Sequence, residues 1–228
     1  MVANSIERCC DLMEINVPID VKKFIEEEVA RPVRIKIVPL IHQAYKLVDA
    51  VMSEVSFLQW KLGARHTGYL DHLAVQFTLY EAAKQGKLED ISAKIVPNVN
   101  KSAYHVELST GNVVITINRA RNANTTSRKA IYRSILQQDN QCYWNFDEHD
   151  VFEEPGYLEL THNHKERNVD FINLGVPNGK GKWYSCIDLT KELHLVGTSK
   201  EEKNTITKEQ LVKFKKFAQG VHVDGGKK

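Results

Sequence analysis

The segment from Asn118 to Gln138 concentrates the residues best suited to chemistry with an anion. It contains five basic residues and no acidic residue: Arg119, Arg121, Arg128, Lys129 and Arg133. Arginine and lysine bind phosphate by charge and geometry, and the asparagines and threonines between them add neutral donors. Tyr132, in the same segment, carries a ring that is able to stack on a base or a sugar. The segment therefore predicts a phosphate-bearing partner, and we expect that partner to be nucleic acid.

The charge of the whole chain points to the same segment. The formal net charge is +2, but residues 1–117 carry −1 and residues 139–228 carry −2. The positive excess therefore lies entirely within residues 118–138, and a local excess is informative about partners rather than about fold. An alternative is that the acidic stretch from Asp147 to Glu154 neutralises this segment within the same chain.

A second group of candidates comes from the order of the predicted elements. The order αβββα over residues 69–138 resembles the core of restriction-endonuclease-like (PD-(D/E)XK) nucleases. The resemblance implies that acids on the second and third strands hold Mg²⁺ and that a lysine on the third strand assists the attacking water. Glu107 and His105 on the second strand, with Glu81 on the preceding helix, are the weak catalytic candidates. The third strand carries Thr116 and Asn118 where Glu-x-Lys is expected, which favours a relative that binds without cutting.

The remaining motifs predict no cofactor. His162 and His164 are weak metal-ligand candidates, and we expect them to be solvated in the turn of a hairpin. The four cysteines, Cys9, Cys10, Cys142 and Cys186, show no C-x-x-C spacing. They predict reduced thiols in a cytoplasmic protein. No apolar stretch approaches the roughly 20 residues needed to cross a bilayer, so we expect no membrane association.

The candidate residues above must be positioned by helices and strands. The period of the hydrophobic pattern changes along the chain and predicts elements of both kinds. Hydrophobic spacing predicts helices at 21–30, 39–60, 69–85, 127–138 and 207–218. Asp20 is the predicted cap of the first, Pro39 opens the second, Thr126 or Ser127 caps the fourth, and Thr207 with Gln210 forms a capping box. Strand patterns occur at 91–96, 103–108, 112–117, 157–161, 169–174 and 183–189.

These elements predict an α+β fold. We expect N-terminal helices packed on a small, mostly antiparallel sheet, followed by a β-meander and a C-terminal helix. A Pro155-Gly156 break after the acidic stretch marks a boundary between residues 1–140 and residues 155–220, with 221–228 as a flexible tail. One compact domain is the alternative.

The sequence thus predicts a non-enzymatic nucleic-acid-binding or regulatory protein that uses residues 118–138. A first alternative is a protein-interaction module of the inhibitor, immunity-protein or antitoxin type, because no catalytic motif is assembled and the chain is short. A second alternative is a metal-dependent nuclease, degenerate or active, around Glu81, His105 and Glu107.

Overall fold

The computed structural model describes residues 20–140, 143–144, 150–151, 156–165, 168–192 and 206–220. The helices in this part of the chain are α1 (Val21–Glu28), α2 (Arg31–Glu54), α3 (Thr67–Lys84), α4 (Ile131–Leu136), α5 (Leu189–Glu192) and α6 (Lys208–Ala218). The strands are β1 (Ser92–Pro97), β2 (Tyr104–Ser109), β3 (Val114–Arg119), β4 (Tyr143–Trp144), β5 (Asp150–Val151), β6 (Tyr157–Lys165), β7 (Asn168–Pro177) and β8 (Trp183–Asp188). Short 3-10 turns occur at Ser56–Gln59, Gly63–His66 and Gln137–Asn140.

The ends of the helices follow local sequence chemistry. Asp20 caps α1 as predicted, because its carboxylate accepts hydrogen bonds from the amides of Lys22 and Lys23 at 3.0 and 3.2 Å. Thr207 and Gln210 form the predicted capping box of α6. The prediction that Pro39 opens α2 is wrong, since α2 begins at Arg31 and Pro39 lies inside it. One missing amide is tolerated there because the buried apolar side chains of this helix hold it on the core.

The helix predicted at 127–138 is shorter than expected. It begins at Ile131, and neither Thr126 nor Ser127 caps it. The amide of Thr126 donates to the carbonyl of Gly181, and the amide of Ser127 donates to the Glu159 carboxylate. These two hydrogen bonds hold residues 126 and 127 against the β7–β8 connection and against β6, and residues 120–130 follow an irregular path.

One six-stranded sheet runs through the molecule in the order β1-β2-β3-β6-β7-β8. Neighbouring strands are antiparallel except for β3 and β6, which are parallel with Thr116 opposite Glu159 and Arg119 opposite His162. This pair joins strands from residues 1–140 to strands from residues 155–220. β4 and β5 form a separate antiparallel pair.

The β6–β7 hairpin is longer than predicted. His162, Asn163 and His164 were expected in its turn, but they belong to β6, which continues to Lys165. Gly175 to Pro177 likewise belong to β7. Burial is continuous from Tyr157 to His162 in β6 and from Phe171 to Pro177 in β7, and burial in the sheet outweighs the turn propensity of the polar residues.

The two faces of the sheet differ in chemistry. One face packs against α2 and α3 through apolar residues such as Val106, Ile115, Leu160 and Ile172, and we call it the apolar face. The opposite face, here called the polar face, carries buried polar side chains: His105, Glu107, Thr116, Asn118, Glu159, Thr161 and Asn173. Buried polar groups require hydrogen-bond partners, and part of these partners come from α4 and residues 120–130.

The architecture is α+β, as predicted, with N-terminal helices, a mostly antiparallel sheet and a C-terminal helix. α6 packs on α3, where Phe214 and Phe217 lie 5.4 and 5.2 Å from Phe77 between ring centroids. Within the described ranges, no helix has the length and apolar character required to cross a bilayer.

A buried ion pair connects α2 to α5. Arg34 is only 4% exposed, and its guanidinium donates to both carboxylate oxygens of Glu192 at distances between 2.7 and 3.1 Å. The same guanidinium donates to the carbonyl oxygens of Glu26 and Val29 at 3.2 and 2.7 Å. Each of the three guanidinium nitrogens therefore donates to an acceptor, which compensates for the loss of hydration.

We expect Arg34→Met to lower the free energy of unfolding by about 3–5 kcal/mol, because it leaves the Glu192 carboxylate and two carbonyls without their donor. Lys36→Ala is the matched control, since Lys36 lies on the same helix in an exposed pair with Glu89. The control should change stability by less than about 1 kcal/mol. Urea denaturation measures both, and equal losses in the two variants would contradict the expectation.

Candidate functional site

A cavity of about 710 Å³ opens where β3 and β6 end, beside the first turn of α3. Among the described residues its lining includes four arginines and no aspartate or glutamate, and we call it the arginine cavity. Because β3 and β6 are parallel, their carboxyl ends meet at one edge, which is where open sheets bind ligands. The lining residues are Gly68, Tyr69, His72, Asn118, Arg119, Ala120, Arg121, Asn122, Thr125, Thr126, Ser127, Arg128, Arg133 and Asn163.

Arg119 lies at the end of β3 and extends towards the first turn of α3. Its Nε donates a hydrogen bond to Asn163 Oδ1 at 3.1 Å. A β-carbon added at Gly68 would overlap the Arg119 guanidinium. Glycine at position 68 therefore permits the close approach of this cation to the helix backbone.

Arg133 is the most firmly held arginine of the cavity. Its Nη1 donates to Asn118 Oδ1 at 2.7 Å and to the Tyr132 hydroxyl at 2.6 Å. Its Nη2 donates to the carbonyl oxygen of Arg128. All these acceptors are uncharged, so the positive charge is positioned without being neutralised by an ion pair.

Arg121 and Arg128 are exposed residues of the cavity, as Arg119 is. In the part of the chain that the structure describes, neither guanidinium is paired with a carboxylate. The carbonyl of Arg121 is held instead, since it accepts a hydrogen bond from the Asn163 side chain at 3.4 Å. Both side chains are therefore available to a ligand at the mouth of the cavity.

The amino end of α3 adds to the positive potential. Gly68 and Tyr69 lie in the first turn, whose amides have no acceptor within the helix. The helix dipole places a partial positive charge at this end. A guanidinium beside it is unfavourable in the absence of an anion, so the arrangement of Arg119 and α3 favours binding of a negatively charged group.

His72 lines the cavity as a neutral side chain. The amide of Val106 donates to Gln76 Oε1 at 2.9 Å, which identifies the other Gln76 atom as a donor to His72 Nε2 at 2.6 Å. The ring proton of neutral His72 is therefore on Nδ1. Burial, together with the charges of Arg133 and Arg119, lowers the pKa of His72 to about 4. At pH 7 the positive charge of the cavity therefore comes from its arginines and not from His72.

Glu159 lies on the polar face behind the cavity and is 0% exposed. Its Oε1 accepts from the Ser127 amide at 3.3 Å, whereas Oε2 has no hydrogen-bond partner in the described structure. Burial raises the pKa of this carboxyl group, although Ser127 and Arg133 act in the opposite direction. Burial thus shifts Glu159 towards its neutral form, which weakens its negative field at the arginine cavity.

The structure brings two of the three catalytic candidates together. His105 Nε2 lies 3.1 Å from Glu107 Oε1, and Lys94 Nζ lies 3.1 Å from Glu107 Oε2. Hydrogen bonds from His105 and then Lys94 lower the pKa of Glu107 against the effect of its burial. Both carboxylate oxygens of Glu107 are therefore already engaged by donors from the protein.

Glu81 does not join that pair. Its carboxylate accepts from Gln85 at 3.3 Å on the same helix, and its charge acts on Lys213 of α6. Thr116 and Asn118, which stand where the nuclease resemblance requires Glu-x-Lys, are hydrogen-bonded to each other at 2.8 Å. Among the described residues, no three histidine, cysteine or acidic side chains are grouped so as to hold a metal ion.

The prediction that His162 and His164 are solvated is wrong. His162 is 0% exposed on the apolar face, where its Nδ1 lies 2.7 Å from the Tyr45 hydroxyl. His164 Nε2 lies 2.7 Å from the buried Asp71 carboxylate. Burial, followed by the charges of His72, Arg119 and His164, lowers the pKa of His162 well below its usual value. Two helix side chains thus hold residues that the sequence placed in a turn.

Two members of the basic segment lie outside the cavity lining. Lys129 is exposed in a separate depression with Ser134 and Gln137. Tyr132 stacks on His105 with ring centroids 3.9 Å apart, and its hydroxyl contacts Asn118 and Arg133. One face of the Tyr132 ring is therefore already occupied by a protein side chain.

Sequence reasoning missed the contribution of α3 and β6 to this site. Gly68, His72 and Asn163 line the cavity but lie far along the chain from the basic segment. The glycine in the first turn of an apolar helix was the one local indication, because glycine there weakens a helix unless a close approach requires it.

The acidic residues Asp147 to Glu154, proposed as an internal partner, lie outside the residues whose side chains are described. Comparison with protein-family models, with curated protein sequences and with solved structures gives no match to this chain. The proposed function therefore rests on the arginine cavity and the polar face.

The neutral state of His72 has a measurable consequence for stability. In the unfolded chain His72 takes up a proton near pH 6.5, whereas in the folded protein it does so near pH 4. The stability that this neutral histidine contributes is therefore complete above pH 6.5, decreases as the pH falls from 6.5 to about 4, and is constant below. The slope from this group is at most about 1.4 kcal/mol per pH unit.

We expect His72→Gln to remove that slope, as measured by urea denaturation at half-unit pH steps from 7.5 to 4. The difference in unfolding free energy between the parent protein and the variant should shrink as the pH falls. Stability curves that remain parallel over this range would show that His72 ionises normally.

Proposed function

We propose that this protein binds nucleic acid without cutting it, and that the arginine cavity contacts the phosphate groups. The observation that carries the proposal is that the described residues of one cavity lining include four arginines and no carboxylate. Arginine side chains gathered without acidic partners repel each other, and an anion relieves that repulsion. The proposal includes the cytoplasmic location expected from the sequence, in keeping with the free thiol of Cys186.

The arrangement of the arginines supports a ligand with several phosphates. Arg119 and Arg133 are held by Asn163 and Asn118, and Arg119, Arg121 and Arg128 are exposed. One or two of these cations would satisfy a single small anion. Four cations that continue from a half-buried position to the surface suit a polyanion whose charges recur along its length.

The non-hydrolytic part of the proposal rests on the polar face. Glu107 is engaged by His105 and Lys94, and Asn118 is engaged by Arg133 and Thr116. A carboxylate that activates water or binds a metal ion needs a free oxygen, and Glu107 has both of its oxygens occupied. The site thus favours binding over hydrolysis.

A protein partner is the second candidate function. Phe57, Trp60 and Leu62 are each about two-thirds exposed or more in the connection between α2 and α3. Large apolar side chains that are exposed so close together are typical of a protein-binding patch. This surface is separate from the arginine cavity, and the nucleic-acid titration below distinguishes the two functions.

We expect nucleic-acid affinity to fall steeply with salt, because each neutralised phosphate releases condensed counterions. Four arginine contacts to a duplex give a slope of about −3 to −4 in log K against log salt concentration. Arg121→Ala and Arg128→Ala should each reduce the slope by about one and change stability by less than about 0.5 kcal/mol. Fluorescence anisotropy between 50 and 200 mM salt measures the slopes.

Lys129→Ala is the matched control, because it removes a neighbouring exposed charge that does not line the cavity. It should reduce the slope by clearly less than either arginine substitution. An equal effect would assign binding to diffuse charge rather than to the cavity. An absence of binding at 50 mM salt, to duplex and to single strand, would leave the protein partner as the better candidate.

We also expect Gly68→Ala to weaken binding about tenfold, because the added methyl group displaces the Arg119 guanidinium from the cavity. The same change should leave stability unaltered or raise it by up to about 1 kcal/mol, since alanine is the better helix former. In an Arg119→Ala background, Gly68→Ala should cause no further loss of affinity. Additive losses would indicate that Gly68 acts independently of Arg119.

A further inference from the structure

An uncharged groove adjoins the arginine cavity. It has a volume of about 380 Å³ and lies between α3, the β1–β2 hairpin and the end of α6. Tyr69 lines both the groove and the cavity, so the two form one continuous surface. In the part of the chain that the structure describes, the groove lining contains no lysine, arginine, aspartate or glutamate.

The groove offers aromatic rings to a ligand. Tyr69 and Tyr104 are each 67% exposed, although tyrosine rings are normally buried for most of their area. Leu73, Ile95 and Phe217 form an apolar floor beside them. Rigid exposed rings lose little entropy on binding, which makes tyrosine effective at recognition surfaces.

This surface has a positively charged part and an aromatic part, and a single nucleic-acid strand likewise has charged phosphates and aromatic bases. Phosphates are charged and match the arginine cavity, whereas bases are flat, uncharged and match the aromatic groove. In a duplex the faces of the bases are stacked on one another and do not reach protein rings. Only an unpaired strand presents phosphates and free base faces together.

We infer that the nucleic acid is bound as a single strand, with phosphates in the arginine cavity and bases stacked on Tyr69 and Tyr104. This inference rests on the proposed function and specifies its ligand. Tyr69 stands at the junction of the two surfaces, next to Gly68 and the phosphate-binding end of α3. The base that follows the bound phosphates stacks there, and a further base stacks on Tyr104. Such stacking is tolerant of sequence, because every base has an aromatic face.

The test measures the affinity of the full chain for one labelled oligonucleotide as a single strand and as a duplex, by fluorescence anisotropy at fixed salt. Inorganic polyphosphate is the third ligand, because it carries phosphates without bases. We expect tighter binding to the single strand than to the duplex. Tyr69→Ala and Tyr104→Ala should each weaken single-strand binding about 5- to 100-fold, and Tyr→Phe at either position should restore it.

Tyr104→Ala should bind polyphosphate as the parent protein does, since phosphates contact the arginines and Tyr104 lines only the groove. Tyr184→Ala is the control: Tyr184 is an exposed tyrosine on β8, at the opposite edge of the sheet from β1 and β2. It should leave all three affinities unchanged.

The outcomes separate this inference from the proposed function. Equal affinity for duplex and single strand, with no effect of the tyrosine substitutions, overturns the stacking surface and leaves phosphate binding intact. An equal loss of polyphosphate binding in Tyr104→Ala also overturns it, because Tyr104 would then act only by supporting the cavity. A lack of binding to every ligand overturns the proposed function itself.

Discussion

The parallel pairing of β3 with β6 is the constraint on which the arginine cavity depends. It places the carboxyl ends of both strands at one edge, so that Arg119 and Asn163 meet although they are far apart in sequence. Parallel neighbours also require a long crossover, and here that crossover carries Arg121, Arg128 and Arg133 over the same edge. With an antiparallel pair in its place, these residues would be distributed over two ends of the sheet.

The polar face shows how a buried polar surface is maintained beneath the cavity. Asn118 accepts from Arg133, Glu159 accepts from Ser127, and Asn173 donates to the carbonyl of Ala123. Each bond joins a sheet side chain to the crossover, so the path of residues 120–133 is fixed by polar contacts rather than by apolar packing. This explains why two isoleucines of α4, Ile131 and Ile135, are exposed. These polar contacts thus hold the crossover in the position at which its arginines line the cavity.

Burial disfavours the charged forms of Glu159 and His72, two ionisable groups beside the arginines. Glu159, a buried acid on the polar face, has a raised pKa, and His72 has a lowered one. Burial acts on both in the same way, because a low-dielectric environment disfavours the charged form of either group. The arginines do not respond in this manner, since their pKa is too high for burial to discharge them. The arginines therefore supply the positive charge of the cavity.

Local chemistry in the sequence was sufficient for part of the fold. The cap at Asp20, the capping box at Thr207, the three strands before Asn118 and the α+β class follow from spacing and propensity, which act within a few residues. The concentration of positive charge at residues 118–138 was equally visible, because charge is a property of composition.

Tertiary contacts decided where those residues lie and which of them come together. They set the parallel register that joins β3 to β6 and extended β6 through His162 and His164. They also replaced the first four residues of the helix predicted at 127–138 with an irregular path, in which the amides of Thr126 and Ser127 donate to Gly181 and Glu159. They selected the arginines over Lys129 for the cavity and recruited Gly68 and His72 from α3. A sequence pattern carries local preference, whereas the pairing of distant strands and the burial of polar groups depend on contacts that arise only when the whole sheet is assembled.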